Sequence, residues 1–299
     1  MIDTTQAFLI KHYQESTQRL LQRKSREDQD LPLGQVLNSE LIQSSMSELS
    51  LVYRDRVFNP GMTLRLFVSQ ILSSDPSCQQ TLQRFTAWLV SQNKQLCSTA
   101  TGAYSQARLR LPVELVKLLL KKIVFKLQEQ TRDQIHWHFH RRAVKLVDGT
   151  LLAVPDTLEN RKKYPKRKDF YGLPLMRLVA VFSLSTGAWI DLETAPHLGK
   201  GTGETSLFLK LLKNSEAIEP GDILLMDRLY CTYLILALCR IKGIDLVVRM
   251  AGSMKPEKLK ILRRLSKGDR LIELRQIRTS KNSPQDRKLL KRVPETLIV

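Results

Sequence analysis

The stretch VKLVDGTLLAVPD, residues 144–156, places an aspartate within a run of aliphatic residues, and GDILLMDRLYC, residues 221–231, repeats the arrangement. Each apolar run predicts a short buried β-strand, closed by Asp148 in the first stretch and by Asp227 in the second. If the two strands are parallel neighbours, both carboxylates emerge at the same edge of the sheet, where open α/β sheets bind ligands. Two carboxylates at one edge can hold a divalent cation between them.

Each aspartate also has an ordinary structural explanation. Asp148 precedes Gly149 and could form a turn, whereas Asp227 precedes an apolar helical pattern and could cap that helix. The two aspartates are 79 residues apart, so only the sheet can bring them together. Spacing alone leaves a catalytic pair and two structural residues as open alternatives.

The composition favours a polyanionic partner. The 299 residues include 48 Lys and Arg against 29 Asp and Glu, a formal net charge of +19. This positive charge favours binding to nucleic acid and makes that binding depend on the salt concentration. With 42% hydrophobic residues the chain can bury a core. No apolar stretch predicts a membrane span or a secretory signal, and we expect a cytoplasmic protein.

Residues 1–140 are predicted to form a helical N-terminal domain with a DNA-binding or accessory role. Apolar residues recur at helical spacing after Thr63, a candidate N-cap, and again in residues 82–90. The short connection between these two helices is typical of a helix-turn-helix, but plain helical hairpins have the same pattern. Residues 112–129 give the strongest helical pattern, with Pro112 in the first turn.

Residues 141–250 change to an α/β pattern. Two helices, about 204–213 and 231–242, interleave with the later strands, which predicts a mixed sheet covered by helices. The order β-β-β-helix-β-helix-β is that of the ribonuclease-H-like fold, and this segment would be the first part of such a catalytic core. The predicted strands are 144–148, 150–154, 176–184, 187–193, 223–227 and 245–249.

Residues 251–299 form a third segment. Residues 250–292 hold 14 Lys and Arg but four Asp and Glu, and DRLIELRQIR alternates apolar and charged side chains as a half-exposed strand does. The pattern predicts a partial basic β insertion.

The most basic run is RKKYPKRK, residues 161–168, with six cations in eight residues. We interpret it as a loop that contacts DNA phosphates, and a solvated loop is the alternative. The glycine-rich HLGKGTGET lacks the spacing of a P-loop, so no nucleotide cofactor is expected. The predicted DNA-binding side chains in this run are Arg161, Lys162, Lys163, Lys166, Arg167 and Lys168.

Several stretches together resemble the DDE transposases of bacterial insertion sequences, and most closely the insertion-sequence-four family with its YREK signature. Two stretches in the helical region, LFVSQILSSDPSCQQTLQRFTAWL and STATGAYSQARLRLP, match that group, and the resemblance covers roughly residues 60–299. The core stretches are DGTLLAVPDTLENRKKYP, LMRLVAVFSLSTGAWIDLE, HLGKGTGETSLFLKLL and GDILLMDRLYCTYLILALCRIKGIDLVVR.

The resemblance implies that Asp148 and Asp227 are the first two catalytic carboxylates and ligands of Mg²⁺ or Mn²⁺ in a two-metal site. It places Arg228 close to the DNA phosphates. The implied partners are the transposon ends and the target, both double-stranded DNA, bound by a homodimer, with no membrane. The location that the resemblance implies is the bacterial cytoplasm, in association with the nucleoid.

The family's third carboxylate is a Glu within a Tyr-x2-Arg-x3-Glu-x6-Lys pattern, and the sequence after Asp227 contains no match. Glu257, Glu273 and Glu295 all lack the required Arg and Tyr. We therefore expect a chain truncated before the final catalytic helix, with impaired activity. Glu193 and Glu204 are other acidic residues, but Glu204 at a helix start is explained by the helix dipole, and neither is assigned a catalytic role.

Two hypotheses follow from these observations. The first is a DDE transposase in which water cuts the element end and the freed 3′-hydroxyl then attacks target DNA. The second is a non-catalytic DNA-binding remnant that regulates or inhibits transposition. A structure-specific nuclease with a ribonuclease-H-like fold is a weaker third alternative.

Overall fold

The computed structural model describes residues 36–54, 56–131, 138–166, 172–251, 254, 259–276 and 284–299. The chain divides into two compact units, Met1–Ile123 and Val124–Val299. The predicted three-part division with boundaries at residues 140 and 250 stays a prediction.

Helices make up the regular structure described in the first unit. The predicted helices near residues 64–72 and 112–129 are confirmed. The helices are α1 (Ser39–Glu48), α2 (Pro60–Leu72), α3 (Cys78–Ser91), α4 (Thr101–Leu109) and the start of α5 (Val113–Thr131). Phe85 and Tyr104 lie at the centre of one buried cluster, and Leu115 and Leu119 pack in another with residues of α1.

The predicted N-cap of α2 is wrong. Asn59 caps this helix, because its side-chain oxygen accepts a hydrogen bond from the backbone N–H of Met62 at 2.9 Å. Pro60 follows as the first helical residue, where its missing N–H costs nothing. Thr63 lies one turn inside the helix and is buried.

The second unit contains a mixed sheet whose strands run in the order β4-β3-β2-β5-β6, with β1 paired to β2. Strand β3 is antiparallel to both β2 and β4, whereas β5 is parallel to both β2 and β6. The strands are β1 (His138–Phe139), β2 (Arg142–Ala153), β3 (Leu175–Ser183), β4 (Trp189–Pro196), β5 (Ile223–Met226) and β6 (Asp245–Val248).

Helices occupy three connections of this sheet. Helix α6 (Leu158–Lys163) follows β2, α7 (Glu204–Asn214) follows β4, and α8 (Tyr233–Ile241) joins β5 to β6. The order predicted from sequence, strands first and then helices alternating with strands, is confirmed in this mixed α/β arrangement. The finer assignment to the ribonuclease-H-like fold stays a prediction.

One strand prediction is wrong. The runs 144–148 and 150–154 belong to a single strand of 12 residues, β2. Asp148 and Gly149 do not interrupt it, because they pair with Ala180 and Val179 of β3. Asp148 therefore lies within a strand rather than at its end.

A smaller sheet follows, with strands β7 (Lys260–Ser266), β8 (Asp269–Arg275) and β9 (Thr296–Ile298) in that order and helix α9 (Pro284–Leu290) before β9. The strand predicted from DRLIELRQIR is confirmed by β8. Ile272 and Leu274 of β8 pack in a buried cluster with residues of α8, whereas every residue of β7 is exposed. Within the described part of the chain, no helix is long and apolar enough to cross a membrane.

Candidate active site

Asp148 and Asp227 follow the last paired residues of two parallel strands. Strands β2 and β5 are paired in register up to Val147 and Met226; Asp148 is the next residue of β2, and Asp227 is the first residue after β5. Neighbouring strands are about 4.8 Å apart. The predicted parallel pairing of the two strands is confirmed, whereas the catalytic role of the two aspartates stays a prediction.

The two carboxylates are held in the same way. The backbone N–H of Gly149 donates to Oδ1 of Asp148 at 2.8 Å, and that of Arg228 donates to Oδ1 of Asp227 at 2.6 Å. Both aspartates are exposed, and the second oxygen of each has no partner among the described residues. Each aspartate therefore presents one anchored oxygen and one free oxygen, as a cation ligand requires.

A buried ion pair joins the two strands that carry these aspartates. Lys145 of β2 contacts Asp222, the residue before β5, and their side chains are 2% and 6% exposed. The Lys145 ammonium also donates to the carbonyl of Ala217 at 2.7 Å, and Asp222 accepts from the N–H of Glu219 at 2.6 Å. Burial raises the pKa of Asp222, and its hydrogen bond with Lys145 opposes that rise.

A third carboxylate, that of Glu204 at the start of α7, lies against Gly149. A side chain at position 149 would place its Cβ 2.6 Å from Cγ and Cδ of Glu204. Arg177 of β3 approaches Glu204 at 3.9 Å and donates to the carbonyl of Thr202 at 3.2 Å. Because residue 149 is glycine, Glu204 reaches the backbone next to Asp148.

Tyr230 is buried, and the charges of the three carboxylates act on it. It follows Asp227 in the 3-10 turn Arg228–Tyr230, and its ring meets that of Phe208 edge to face, with centroids 5.6 Å apart. Burial raises the pKa of Tyr230 most, and the charges of Glu204, Asp148 and Asp227 raise it further. Its hydroxyl has no hydrogen-bond partner within the described chain.

The sequence did not reveal this arrangement around Tyr230. The available signals were the glycine after Asp148, the first-turn position of Glu204 and the tyrosine three residues after Asp227. Each has an ordinary local explanation, and only the packing of α7 against the sheet brings the three together.

The basic run is partly helical, so its prediction as a loop is wrong for residues 161–163. Arg161, Lys162 and Lys163 form the last turn of α6, where cations suit the helix dipole. Asp156 binds two cations of the run, Arg161 at 2.6 Å and Lys166 at 2.9 Å. The predicted DNA-binding residues Arg167 and Lys168 lie outside the described residues.

A family model described as a transposase DDE domain matches residues 140–296, more than half of the chain. The chain belongs to the transposase DDE-domain family. The matched span includes every element from β2 to α9 and both aspartates of the parallel pair. The finer assignment to the insertion-sequence-four family stays a prediction.

Comparisons with solved structures and with curated proteins give no further evidence of function. The chain is similar to a piggyBac transposase solved by cryo-EM in a synaptic complex with hairpin DNA, at 14% sequence identity and a TM-score of 0.37. The match covers 85% of this chain and 60% of that one. A likeness of that degree carries no functional argument. No curated protein sequence matches the chain.

Members of the DDE-domain family generally use divalent metal ions, and the aspartate pair of this DDE domain fits such an ion. Carboxylate oxygens are the ligands that Mg²⁺ and Mn²⁺ prefer, and each aspartate has a free oxygen. In the side-chain positions that the structure describes, no group of three or more His, Cys, Asp or Glu residues is arranged to hold a metal. Arg228 is exposed next to Asp227, as its predicted phosphate contact requires.

Proposed function

We propose that this chain is a DNA transposase that cuts the ends of an insertion sequence and joins them to target DNA. The observation that carries the proposal is the position of Asp148 on β2 and of Asp227 directly after β5, the strand parallel to β2, in a transposase DDE domain. A ribonuclease-H-like core is the fold that we assign to this sheet. The insertion-sequence-four group is the subfamily that we assign, on the resemblance of the sequence motifs.

In this proposal the aspartates hold one or two Mg²⁺ or Mn²⁺ ions. The bound ions would activate the attacking oxygen and stabilise the charge on the leaving oxygen. The chain itself supplies two rigidly placed carboxylates, because β2 and β5 fix their spacing and the N–H groups of Gly149 and Arg228 fix their rotation. Arg228 contacts a DNA phosphate and keeps the scissile bond near the pair.

The small sheet supports DNA binding by this unit. On the exposed hairpin of β7 and β8, Arg264 stands directly opposite Arg270. Like charges facing each other across two strands destabilise a sheet, and a polyanion would relieve that repulsion. The cations of α6 add a second basic surface, of which Lys162 and Lys163 have no ion-pair partner in the described chain.

The helical unit supports DNA binding by a separate feature. A pocket of about 460 Å³ contains three arginines, Arg54, Arg56 and Arg110, together with Tyr53 and Phe58. Guanidinium groups and aromatic rings are the side chains that hold phosphates and stack on bases. We assign this unit to the transposon end, and the pairing of two ends to a homodimer on DNA in the bacterial cytoplasm, near the nucleoid.

A non-catalytic DNA-binding protein that regulates transposition is the second candidate. The observation in its favour is that, among the described residues, no group of three or more His, Cys, Asp or Glu residues is arranged to hold a metal. The two candidates share DNA binding and differ in chemistry, so a cleavage assay separates them.

The test uses the full chain with a plasmid that carries the element ends, in Mg²⁺, Mn²⁺ or a chelator. Metal-dependent nicking and strand transfer are expected, and Asp148→Asn and Asp227→Asn should each abolish both while DNA binding remains. Asp191→Asn is the matched control, because Asp191 lies on β4 outside the site. DNA binding without cleavage in the wild-type chain would favour the regulatory protein. Cleavage that survives both substitutions would overturn the assignment of the pair.

A further inference from the structure

The helical unit contains a concave site that is lined by cations. Its pocket of about 460 Å³, here called the arginine pocket, is formed by the connection from α1 to α2 and by the turn that follows α4. Arg54, Arg56 and Arg110 line it, all three are exposed, and none has an ion-pair partner among the described residues. No acidic residue lines the pocket in the described part of the chain. The side chains therefore favour an anion, and guanidinium groups favour a phosphate.

The backbone around the arginine pocket adds to its positive potential. Pro60, the first residue of α2, and Pro112, which immediately precedes α5, both line the pocket. The N-terminal end of a helix carries a partial positive charge and attracts anions. The C-terminal end of α4, which has the opposite sign, also lies here, and Arg110 is its cap residue. Two positive helix ends and three guanidinium groups thus surround one cavity.

Two aromatic rings form part of the lining. Phe58 is half-buried, and its ring centroid lies 5.8 Å from that of Tyr104 and 6.0 Å from that of Phe85, so it is fixed against the core. Tyr53 is 44% exposed. A base of any identity can stack on such rings, because every base has a π-face. Rings and guanidinium groups in one cavity match the base and the phosphate of a nucleotide.

Thr63 supplies an independent sign that a ligand binds in the arginine pocket. It lines the pocket, is 1% exposed, and its hydroxyl has no hydrogen-bond partner within the described chain. The helical residues Thr81 and Thr86 of the same unit donate to the carbonyl four residues earlier, at 2.8 Å and 2.9 Å. Thr63 does not make this bond with Asn59. A buried hydroxyl without a partner is costly, and a ligand or an ordered water is what satisfies such a group.

The size of the pocket selects a single nucleotide over a duplex. A volume of about 460 Å³ lies within the range of about 300–1,000 Å³ that is usual for pockets that enclose small molecules. The bases of a duplex are stacked and paired and cannot reach rings inside a cavity, whereas an unpaired nucleotide can. Tyr53 and Asn59 also line a second hollow of about 150 Å³, so the depression continues beyond the pocket, as a strand leading away from the bound nucleotide requires.

We propose that the arginine pocket binds one nucleotide that is not base-paired. Its phosphate contacts the three arginines, its base lies against Tyr53 and Phe58, and the Thr63 hydroxyl hydrogen-bonds to it. This inference rests on the proposed function and deepens it, because it names the state of the DNA that the helical unit recognises. Paired DNA is then left to the exposed basic surfaces of the second unit.

Binding of single-stranded and of duplex DNA to the full chain tests the proposal. A fluorescein-labelled oligothymidylate and a labelled duplex of the same length are each titrated, and binding is followed by fluorescence anisotropy. Tyr53→Ala should weaken oligothymidylate binding at least about fivefold, the lower end of the stacking contribution of one base, and should leave duplex binding unchanged. Tyr53→Phe keeps the ring and should keep the affinity. Phe125→Ala, which removes an exposed ring outside the pocket, is the matched control.

Two further variants address the phosphate and the hydroxyl. Arg56→Gln should weaken oligothymidylate binding more than Lys117→Gln, which makes the same change of charge on an exposed part of α5 outside the pocket. Thr63→Val removes an unpartnered hydroxyl, so the thermal midpoint without DNA should not fall, whereas oligothymidylate affinity should fall about fivefold, the usual worth of one hydrogen bond. A lower thermal midpoint with unchanged affinity would leave Thr63 with a structural role alone and would overturn its part in the site.

Competition identifies the source of the nucleotide. Displacement of the labelled oligothymidylate by thymidine monophosphate, in the wild-type chain but not in Tyr53→Ala, would assign the pocket to a free nucleotide. Displacement by unlabelled oligothymidylate alone would assign it to a DNA strand. Oligoglutamate that competes as well as oligothymidylate would reveal a general anion site and would overturn the proposal.

The outcomes distinguish this inference from the proposed function. If the wild-type chain binds neither the duplex nor oligothymidylate, the proposed function itself is wrong. If it binds the duplex while Tyr53→Ala, Arg56→Gln and Thr63→Val change oligothymidylate affinity no more than the controls do, only the present inference is overturned. Equal losses for the duplex and for oligothymidylate would overturn it as well, because the pocket would then not select an unpaired nucleotide.

Discussion

Lys145 and Asp222 form a buried ion pair between β2 and the residue that precedes β5. Lys145 is three residues before Asp148, and Asp222 is five before Asp227. Because the pair lies at the start of the parallel pairing, it opposes any slip of β5 along β2. A slip of one residue would move Asp227 to the other face of the sheet, so the ion pair secures the register on which the aspartate pair depends.

Replacing Lys145 by methionine should therefore be costly. Lys145→Met leaves Asp222 buried without a counter-charge, which typically costs about 3–5 kcal/mol. Urea unfolding gives the change in free energy. The double variant Lys145→Met/Asp222→Leu should recover much of the loss, because no unpaired charge then remains. Lys260→Met, which breaks an exposed pair with Glu273, is the matched control and should have a much smaller effect.

The stability of the helical unit should fall in alkali because of Tyr104. This side chain is fully buried and donates to Oε1 of Gln70 at 2.8 Å, and burial raises its pKa to about 12. An unfolded tyrosine titrates near pH 10, so the folded unit binds more protons between about pH 10 and 12, and stability is lost as the pH rises through that window.

Tyr104→Phe tests this dependence on pH. The variant should lose about 1 kcal/mol at neutral pH, the usual worth of one hydrogen bond, and should show a flatter decline above about pH 10. Urea unfolding followed by tryptophan fluorescence at a series of pH values measures both. An equally steep decline in the variant would mean that another group dominates the alkaline transition.

Asp156 should weaken DNA binding, because it neutralises two cations of the basic run. Asp156 accepts hydrogen bonds from Arg161 and Lys166. These bonds, that from Arg161 most strongly, lower the pKa of Asp156, so it stays ionised at neutral pH. Asp156→Asn should raise DNA affinity and steepen the slope of log K against log salt by about 0.9 for each additional phosphate that the protein neutralises. Asp191→Asn, with the same change of charge, should do less. A slope that is identical in both variants would place these cations away from the DNA.

The arginines of β7 should contribute directly to DNA affinity. Arg263 and Arg264 are exposed and have no ion pair in the described chain. Arg263→Ala and Arg264→Ala together should reduce the salt slope by about 1.8, because two phosphates at about 0.9 each are no longer neutralised. Arg275→Ala is the control, because Glu273 already binds Arg275 at 2.7 Å. Equal effects of the pair and the control would argue against a specific role for β7.

The sequence alone predicts the mixed sheet and the proximity of its two aspartates. Apolar runs of strand length and the alternation of strands with helices predict a mixed sheet, and this predicts Asp148 and Asp227 as neighbours although 79 residues separate them. The end of β2 was misplaced because an Asp-Gly pair usually forms a turn. Pairing with β3 on one side overrides that local preference.

The surroundings of the pair could not be predicted in the same way. Glu204 reaches Gly149 through the packing of α7, and Tyr230 is placed by a 3-10 turn that Asp227 caps. Neither contact leaves a periodic pattern, because each joins single residues of different elements. The sequence also did not predict that part of the basic run is helical and that two of its cations are paired with Asp156. A count of charges does not show that Asp156 lies close enough to bind them.

The all-exposed strand β7 has a consequence for solubility. It lies at the edge of its sheet and carries apolar residues at 261, 262 and 265. A bare edge of that kind recruits strands from other molecules, and charged side chains on it prevent such aggregation. The arginines of β7 that are assigned to DNA binding therefore also protect this edge from aggregation. Removing them should lower DNA affinity and should also leave an edge strand that pairs with other copies of the chain.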